Sequence, residues 1–193
     1  MRKVDCRKME TFFTKMCSNE NAIYKLKSEH ASWALEKFGT CDILLRKGVT
    51  QKSKQTFSKY IKIWQETSQY GLSPKILYFS EFNSEIIMEN FGIALGDWLE
   101  RNAIYTYKFY AFMNVFEACR RLDKLNILHG DLHCNNILID PDTLKVKIID
   151  WDYAKKIVSP NYQIFISNID AIKKEINKET NDKYKSVLEC IST

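Results

Sequence analysis

The 193 residues predict an α+β chain in two lobes, a small strand-rich one followed by a shortened, mostly helical one. Three observations predict it. Up to residue 89, short apolar runs alternate at strand spacing around a single helical stripe. Beyond residue 95 the apolar spacing is mostly helical, broken by one hairpin. Between them, 90–96 holds two of the 6 glycines and reads as a linker. The expected division is a helical extension over 1–20, the first lobe over 21–89, and the linker with the second lobe over 90–193.

Each element follows in chain order. Val4, Met9, Phe12, Phe13 and Met16 make a loose helical face. Runs at 23–26, 33–38 and 41–46 read as strands, with Gly39-Thr40 as a turn. Over 56–70 the spacing becomes helical, with Phe57, Tyr60, Ile61 and Trp64 on one stripe. Gly71 suits its C-terminal cap, and Pro74 bars continuation. Strands follow at 76–79 and 85–89. A short helix is expected over 95–101 and a long one over 107–125. The long helix is expected to bury Phe109, Phe112, Met113, Phe116, Cys119 and Leu122. Runs at 137–139 and 146–149, joined through Asp140-Pro141-Asp142, read as a hairpin. Two last helical stripes carry Ile169, Ile172 and Ile176, then Tyr184, Val187 and Leu188.

Composition narrows the function classes. Hydrophobic residues at 45% and aromatics at 13% can bury a core and argue against disorder. With 6 glycines and 3 prolines, collagen-like and low-complexity chains are excluded. The net charge of +5 is interspersed. It suits a polyanion such as a nucleotide but does not by itself call for nucleic acid. The 6 cysteines form no C-x-x-C pair, so neither a disulfide framework nor a zinc site is expected, and reduced thiols in a cytoplasmic setting are. No apolar run approaches a membrane span, and the N-terminus lacks the apolar core of a signal peptide.

The stretch that carries chemistry is His129-Gly130-Asp131-Leu132-His133-Cys134-Asn135-Asn136-Ile137-Leu138, followed by Ile148-Ile149-Asp150-Trp151-Asp152. A carboxylate, Asp131, follows the long helix. An amide, Asn136, opens the hairpin, and a second carboxylate, Asp150, ends it. The hairpin folds Asn136 and Asp150 toward each other. Hard oxygen ligands of this kind suit Mg²⁺ bridging nucleotide phosphates. A further carboxylate can accept a hydroxyl proton. Together they are the minimum for phosphoryl transfer.

This pattern resembles the catalytic loop, H-x-D-x-x-x-x-N, and the metal-binding aspartate of the protein-kinase-like superfamily. The wording is similar to lipopolysaccharide, choline and aminoglycoside kinases and to minimal archaeal-type kinases. The resemblance runs from about residue 24 to 176, and its specific motifs lie in the second half. It implies a bilobal kinase-like fold using ATP and Mg²⁺. It implies Asp131 as catalytic base, Asn136 and Asp150 as metal ligands, and His129 as the brace of the loop. His133 takes the place of a phosphate-touching lysine, with an exposed loop histidine as the alternative. Zinc bound by His129, His133 and Cys134 is a third reading, and a packed Cys134 is expected instead. Asp152 reads as a solvated acid, and Asp170 as a brace of the catalytic loop.

In the first lobe, Arg46 or Lys47 would offer a cation to the phosphates, on opposite faces of one strand. The resemblance to choline-kinase-like proteins favours Arg46, whereas protein-kinase-like spacing allows Lys47; Arg46 is preferred. The helix glutamate that usually pairs with this cation would fall near Tyr60. Glu66, about 9 Å farther along the axis, either serves through a shifted helix or leaves the pair absent. Met88 would be the gatekeeper, with Glu89 and Phe91 giving main-chain contacts to adenine. No glycine lies in 28–32, where a phosphate loop is expected; Ser32 is the phosphate-binding candidate there, and Glu29 would repel the anion.

The expected activity is transfer of the ATP γ-phosphate to a hydroxyl, first of a protein serine or threonine and alternatively of an amino alcohol or sugar. A pseudokinase, a nucleotide-binding module or inactive scaffold that keeps the fold without catalysis, is the rival from another class. The compact chain is compatible with a viral or bacterial source.

Overall fold

Alternating apolar residues become a five-stranded antiparallel sheet in the computed structural model, which describes residues 24–27, 31–38, 41–48, 51–101, 104–158 and 163–179. Over 24–55 the description is of the backbone. The face from Val4 to Met16, the Gly39-Thr40 turn and the Tyr184, Val187, Leu188 stripe lie outside the described residues. The sheet comprises β1 (Tyr24–Lys27), β2 (Ala31–Phe38), β3 (Cys41–Gly48), β4 (Ile76–Ser80) and β5 (Glu85–Glu89). Its order is β1-β2-β3-β5-β4.

Helix α1 (Gln51–Gln69) lies between β3 and β4 in the chain. It begins five residues before the expected start because Gln51 to Gln55 are polar and add nothing to the apolar stripe. That stripe is real: Phe57, Tyr60, Ile61 and Trp64 are all buried. Gly71 ends the helix at φ +68°, with its N–H on the Ser68 carbonyl at 3.0 Å.

The second half holds β6 (Ile93–Ala94), α2 (Leu95–Arg101), α3 (Tyr105–Lys124), β7 (Ile127–Leu128) and a 3₁₀ turn, Cys134–Asn136. It continues with β8 (Ile137–Ile139), β9 (Val146–Ile148), β10 (Lys155–Lys156) and α4 (Gln163–Glu179). The hairpin turns through Asp140, whose carboxylate accepts the Asp142 N–H at 3.0 Å and the Thr143 hydroxyl at 2.7 Å. The strands β6, β8 and β9 form one small sheet, and β7 with β10 another.

One continuous core joins the two halves, from Phe57 and Trp64 through Met88 and Leu122 to Trp151 and Ile172. The long helix is rotated from its expected register. Met113 is 44% exposed, and Ala111, Phe112, Val115, Ala118, Cys119 and Leu122 face inward. Small alanines complete the stripe, and they carry too little hydrophobicity to stand out beside methionine and phenylalanine. Among the described residues no helix is long and apolar enough to cross a membrane.

Two glycines test the packing. A Cβ on Gly92 would sit 2.1 Å from the Ile139 carbonyl oxygen, a backbone atom, where β6 meets β8. Gly71 has open space but a left-handed φ. In urea titrations, Gly92→Ala is expected to lose roughly 3 kcal/mol, and Gly71→Ala about 1 kcal/mol. Equal losses would contradict the close backbone approach at Gly92.

Candidate active site

The loop between β7 and the 3₁₀ turn is built around His129, which is fully buried. The Asp131 backbone N–H donates to its Nδ1 at 3.3 Å. That nitrogen must therefore be unprotonated, and Nε2–H donates to the Ile149 carbonyl at 3.0 Å. The ring lies 4.8 Å from the Trp151 ring. Burial pushes the imidazole down to about pKa 4, against the pull of the Ile149 carbonyl. His129 is a neutral strut joining the Asp131 loop to the strand that leads into Asp150. With both nitrogens engaged, zinc ligation is ruled out for it.

Asp131 presents its carboxylate outward, with half of the side chain exposed. Its backbone carbonyl accepts the Asn136 Nδ2–H at 2.9 Å. The Asn136 carbonyl in turn accepts the Ile149 N–H at 2.9 Å. Asn136 thus ties the loop of Asp131 to the approach of Asp150, and its side-chain oxygen remains as an acceptor. Asp150 adopts a left-handed backbone, φ +64°, which costs a non-glycine residue energy and must be held in place. Gly130, at φ +85°, lets the loop pass Tyr153: a Cβ there would meet the Tyr153 carbonyl at 2.6 Å. His133 Nε2 stands 3.8 Å from Asp131 Oδ2, and the ring is partly buried rather than an open loop side chain. Cys134 is buried, as expected of a packing residue. Asp152 is partly buried rather than solvated.

The loop brace expected at Asp170 is Asn168. Its Oδ1 accepts the His129 N–H at 3.3 Å from a fully buried position, whereas Asp170 is exposed. The helix register decides this: Asn168 lies beside the buried Ile169 and four residues before the buried Ile172, on the inward face.

Two acids of the first lobe, Glu66 and Glu89, are bound to lysines. Glu66 accepts a hydrogen bond from Lys156 Nζ on β10 at 2.6 Å, so it forms an ion pair with the segment after Asp150. Tyr60, at the expected glutamate position, is buried. Glu89 is bound by Lys147 Nζ and by the Lys75 N–H. Burial pushes its carboxyl up, but these bonds outweigh burial and hold it below the usual carboxylate range. Lys147 Nζ also lies 4.4 Å from the centre of the Phe91 ring. The Glu89 N–H is spent on the Lys75 carbonyl at 3.0 Å, so it offers no amide to a base. Met88 is fully buried at the expected gatekeeper position.

Register separates the two competing cations. Arg46 pairs with Ile86 and so shares a sheet face with Ile86 and Met88; Lys47 pairs with Glu85 on the other. Ile86 and Met88 belong to the common core. Ser32 is a residue of β2, where it pairs with Lys27 and Lys47. The β1–β2 connection, with Glu29, lies outside the described residues. A groove of about 400 Å³ between the end of α1 and β4, lined by Gln65, Gln69, Ile76 and Tyr78 among others, shares no residue with the Asp131 set.

The neutral state of His129 has a measurable consequence. Its folded pKa lies below the ordinary 6.5, so the unfolded chain takes up the proton first. Its contribution is complete above pH 6.5 and is lost as pH falls toward 4, on the order of 3 kcal/mol in all. Urea titrations from pH 7 to pH 4 are expected to show this decline. In His129→Gln that part of the slope should vanish; an unchanged slope would contradict the assigned strut.

No curated protein matches the chain. The family model of the fungal protein kinases matches residues 3–164, most of the chain. The order of strands, helices and hairpin that carries Asp131, Asn136 and Asp150 is that of a small kinase-like fold. The chain belongs to the fungal protein kinase family, whose chemistry is phosphoryl transfer from ATP to a substrate.

Proposed function

We propose that the chain transfers the γ-phosphoryl group of ATP to the hydroxyl of a protein serine or threonine. The observation that carries this reading is the pairing of an exposed Asp131 carboxylate with a backbone fixed by His129 and Asn136. The acceptor class follows the family's description as protein kinases. Asp131 receives the acceptor hydroxyl, orients it, and takes its proton as the oxygen–phosphorus bond forms. The bond to the bridging oxygen of ADP breaks in the same transfer.

The oxygen donors Asn136 Oδ1 and the Asp150 carboxylate fit a hard divalent cation such as Mg²⁺, whose remaining positions phosphates and water fill. Bound there, the ion would neutralise charge on the transferring phosphates. Arg46, on the Met88 face of the sheet, is the cation assigned to the α- and β-phosphates, with Lys47 on the opposite face. Met88 closes the back of the base pocket, and the Phe91 amide offers a donor to the base edge. His133, beside Asp131, is placed to touch the transferred phosphate.

The test is γ-phosphate transfer from ATP to serine- and threonine-containing proteins with Mg²⁺. Asp131→Asn should lower the rate by roughly 10²-fold or more while leaving nucleotide-induced thermal stabilisation intact. Equal transfer by the variant would remove Asp131 from the role of base. No thermal shift at millimolar ATP would favour a scaffold.

A further inference from the structure

Asp150 needs support for its left-handed backbone, and the residue after it supplies an anchor. Trp151 is fully buried, and its indole N–H donates to Ser73 Oγ at 2.9 Å. Ser73 Oγ lies 2.8 Å from Thr67 Oγ1. The Thr67 hydroxyl lies 3.0 Å from both the Ile63 and Trp64 carbonyls in α1. Carbonyls only accept, so the Thr67 proton points into the helix. Ser73 must then donate to Thr67 and accept from Trp151. The chain of bonds runs one way, from the indole to the helix backbone, and each hydroxyl donates once. A second tie lies on the other side of Asp150, where the Ile148 N–H donates to the Leu72 carbonyl at 2.7 Å. The turn after α1 therefore grips the polypeptide on both flanks of Asp150.

We propose that Thr67 and Ser73 are positioning residues for phosphoryl transfer. Through Trp151 they make the seating of α1 decide where the Asp150 carboxylate stands. The inference rests on Asp150 being a ligand of the Mg²⁺–nucleotide. It does not require Glu66, which is bound to Lys156 instead. A buried indole N–H left without an acceptor is unfavourable and favours a shift of this turn.

The test measures ATP affinity by calorimetry with Mg²⁺ and with EDTA. Ser73→Ala should weaken binding about tenfold with Mg²⁺ and leave the EDTA value within about twofold. Thr67→Ser, which keeps the hydroxyl, should behave as wild type, and Thr67→Val as Ser73→Ala. Trp151→Phe removes the donor. Adding Ser73→Ala to it should bring no further loss of Mg²⁺-dependent binding, since the link from α1 to Asp150 is already cut at the indole. Thermal unfolding of each variant confirms that it is folded. Equal weakening with and without Mg²⁺, or none in folded Ser73→Ala, would overturn the inference and leave the phosphotransfer reading standing. A wild type that binds ATP no better with Mg²⁺ than without would overturn both.

Discussion

A single imidazole, removed from water and held neutral, is the constraint on which the site depends. One nitrogen of His129 accepts the Asp131 N–H and the other donates to the Ile149 carbonyl. The loop of Asp131 and the strand leading to Asp150 are thus held by one ring. Burial makes the arrangement stiff, because a charged imidazole would be penalised and a lost bond could not be replaced by water. His129 itself cannot exchange protons with substrate from that position. The open carboxylate of Asp131 is the group proposed for that task.

Around this ring the protein uses polar groups as spacers. Asn168 supports the loop from α4, and Asn136 ties it to the hairpin. Glu66 and Glu89 are each occupied by a lysine, Lys156 and Lys147. Both pairs keep partial contact with solvent, so their worth to stability is small. Their effect is geometric. Glu66 fixes α1 to the strand after Asp150, and Glu89 draws the β9 hairpin to the linker beside Phe91. The position on α1 where a glutamate was expected holds the buried Tyr60. The turn at Thr67 and Ser73 offers another way to register α1 against the site.

How much was legible depended on distance along the chain. The sheet strands β2 and β5, the helix α2 and the hairpin were readable because their patterns repeat within a few residues. The strands β6, β7 and β10 have two residues each, and two residues carry no period. The Asp131, Asn136 and Asp150 set was readable as a motif, since each lies at a loop or strand end whose spacing is local. Asn168 was not, because a two-residue choice between it and Asp170 depends on which face of α4 meets the catalytic loop. Ser32 was expected in the connection because the apolar alternation begins only at Trp33, and pairing with Lys47 puts it in β2.

By itself the sequence determined the α+β order and the kinase-like family, and it singled out the three polar residues proposed to carry the chemistry. Those features follow from spacing, turn residues and side-chain type, which act over short stretches of chain. Tertiary structure alone decided the partners of the charges and hydroxyls. Trp151 meets Ser73 across 78 positions, and Lys156 meets Glu66 across 90. A hydrogen bond forms only between groups within about 3.5 Å, and no local pattern records which distant groups packing will bring that close.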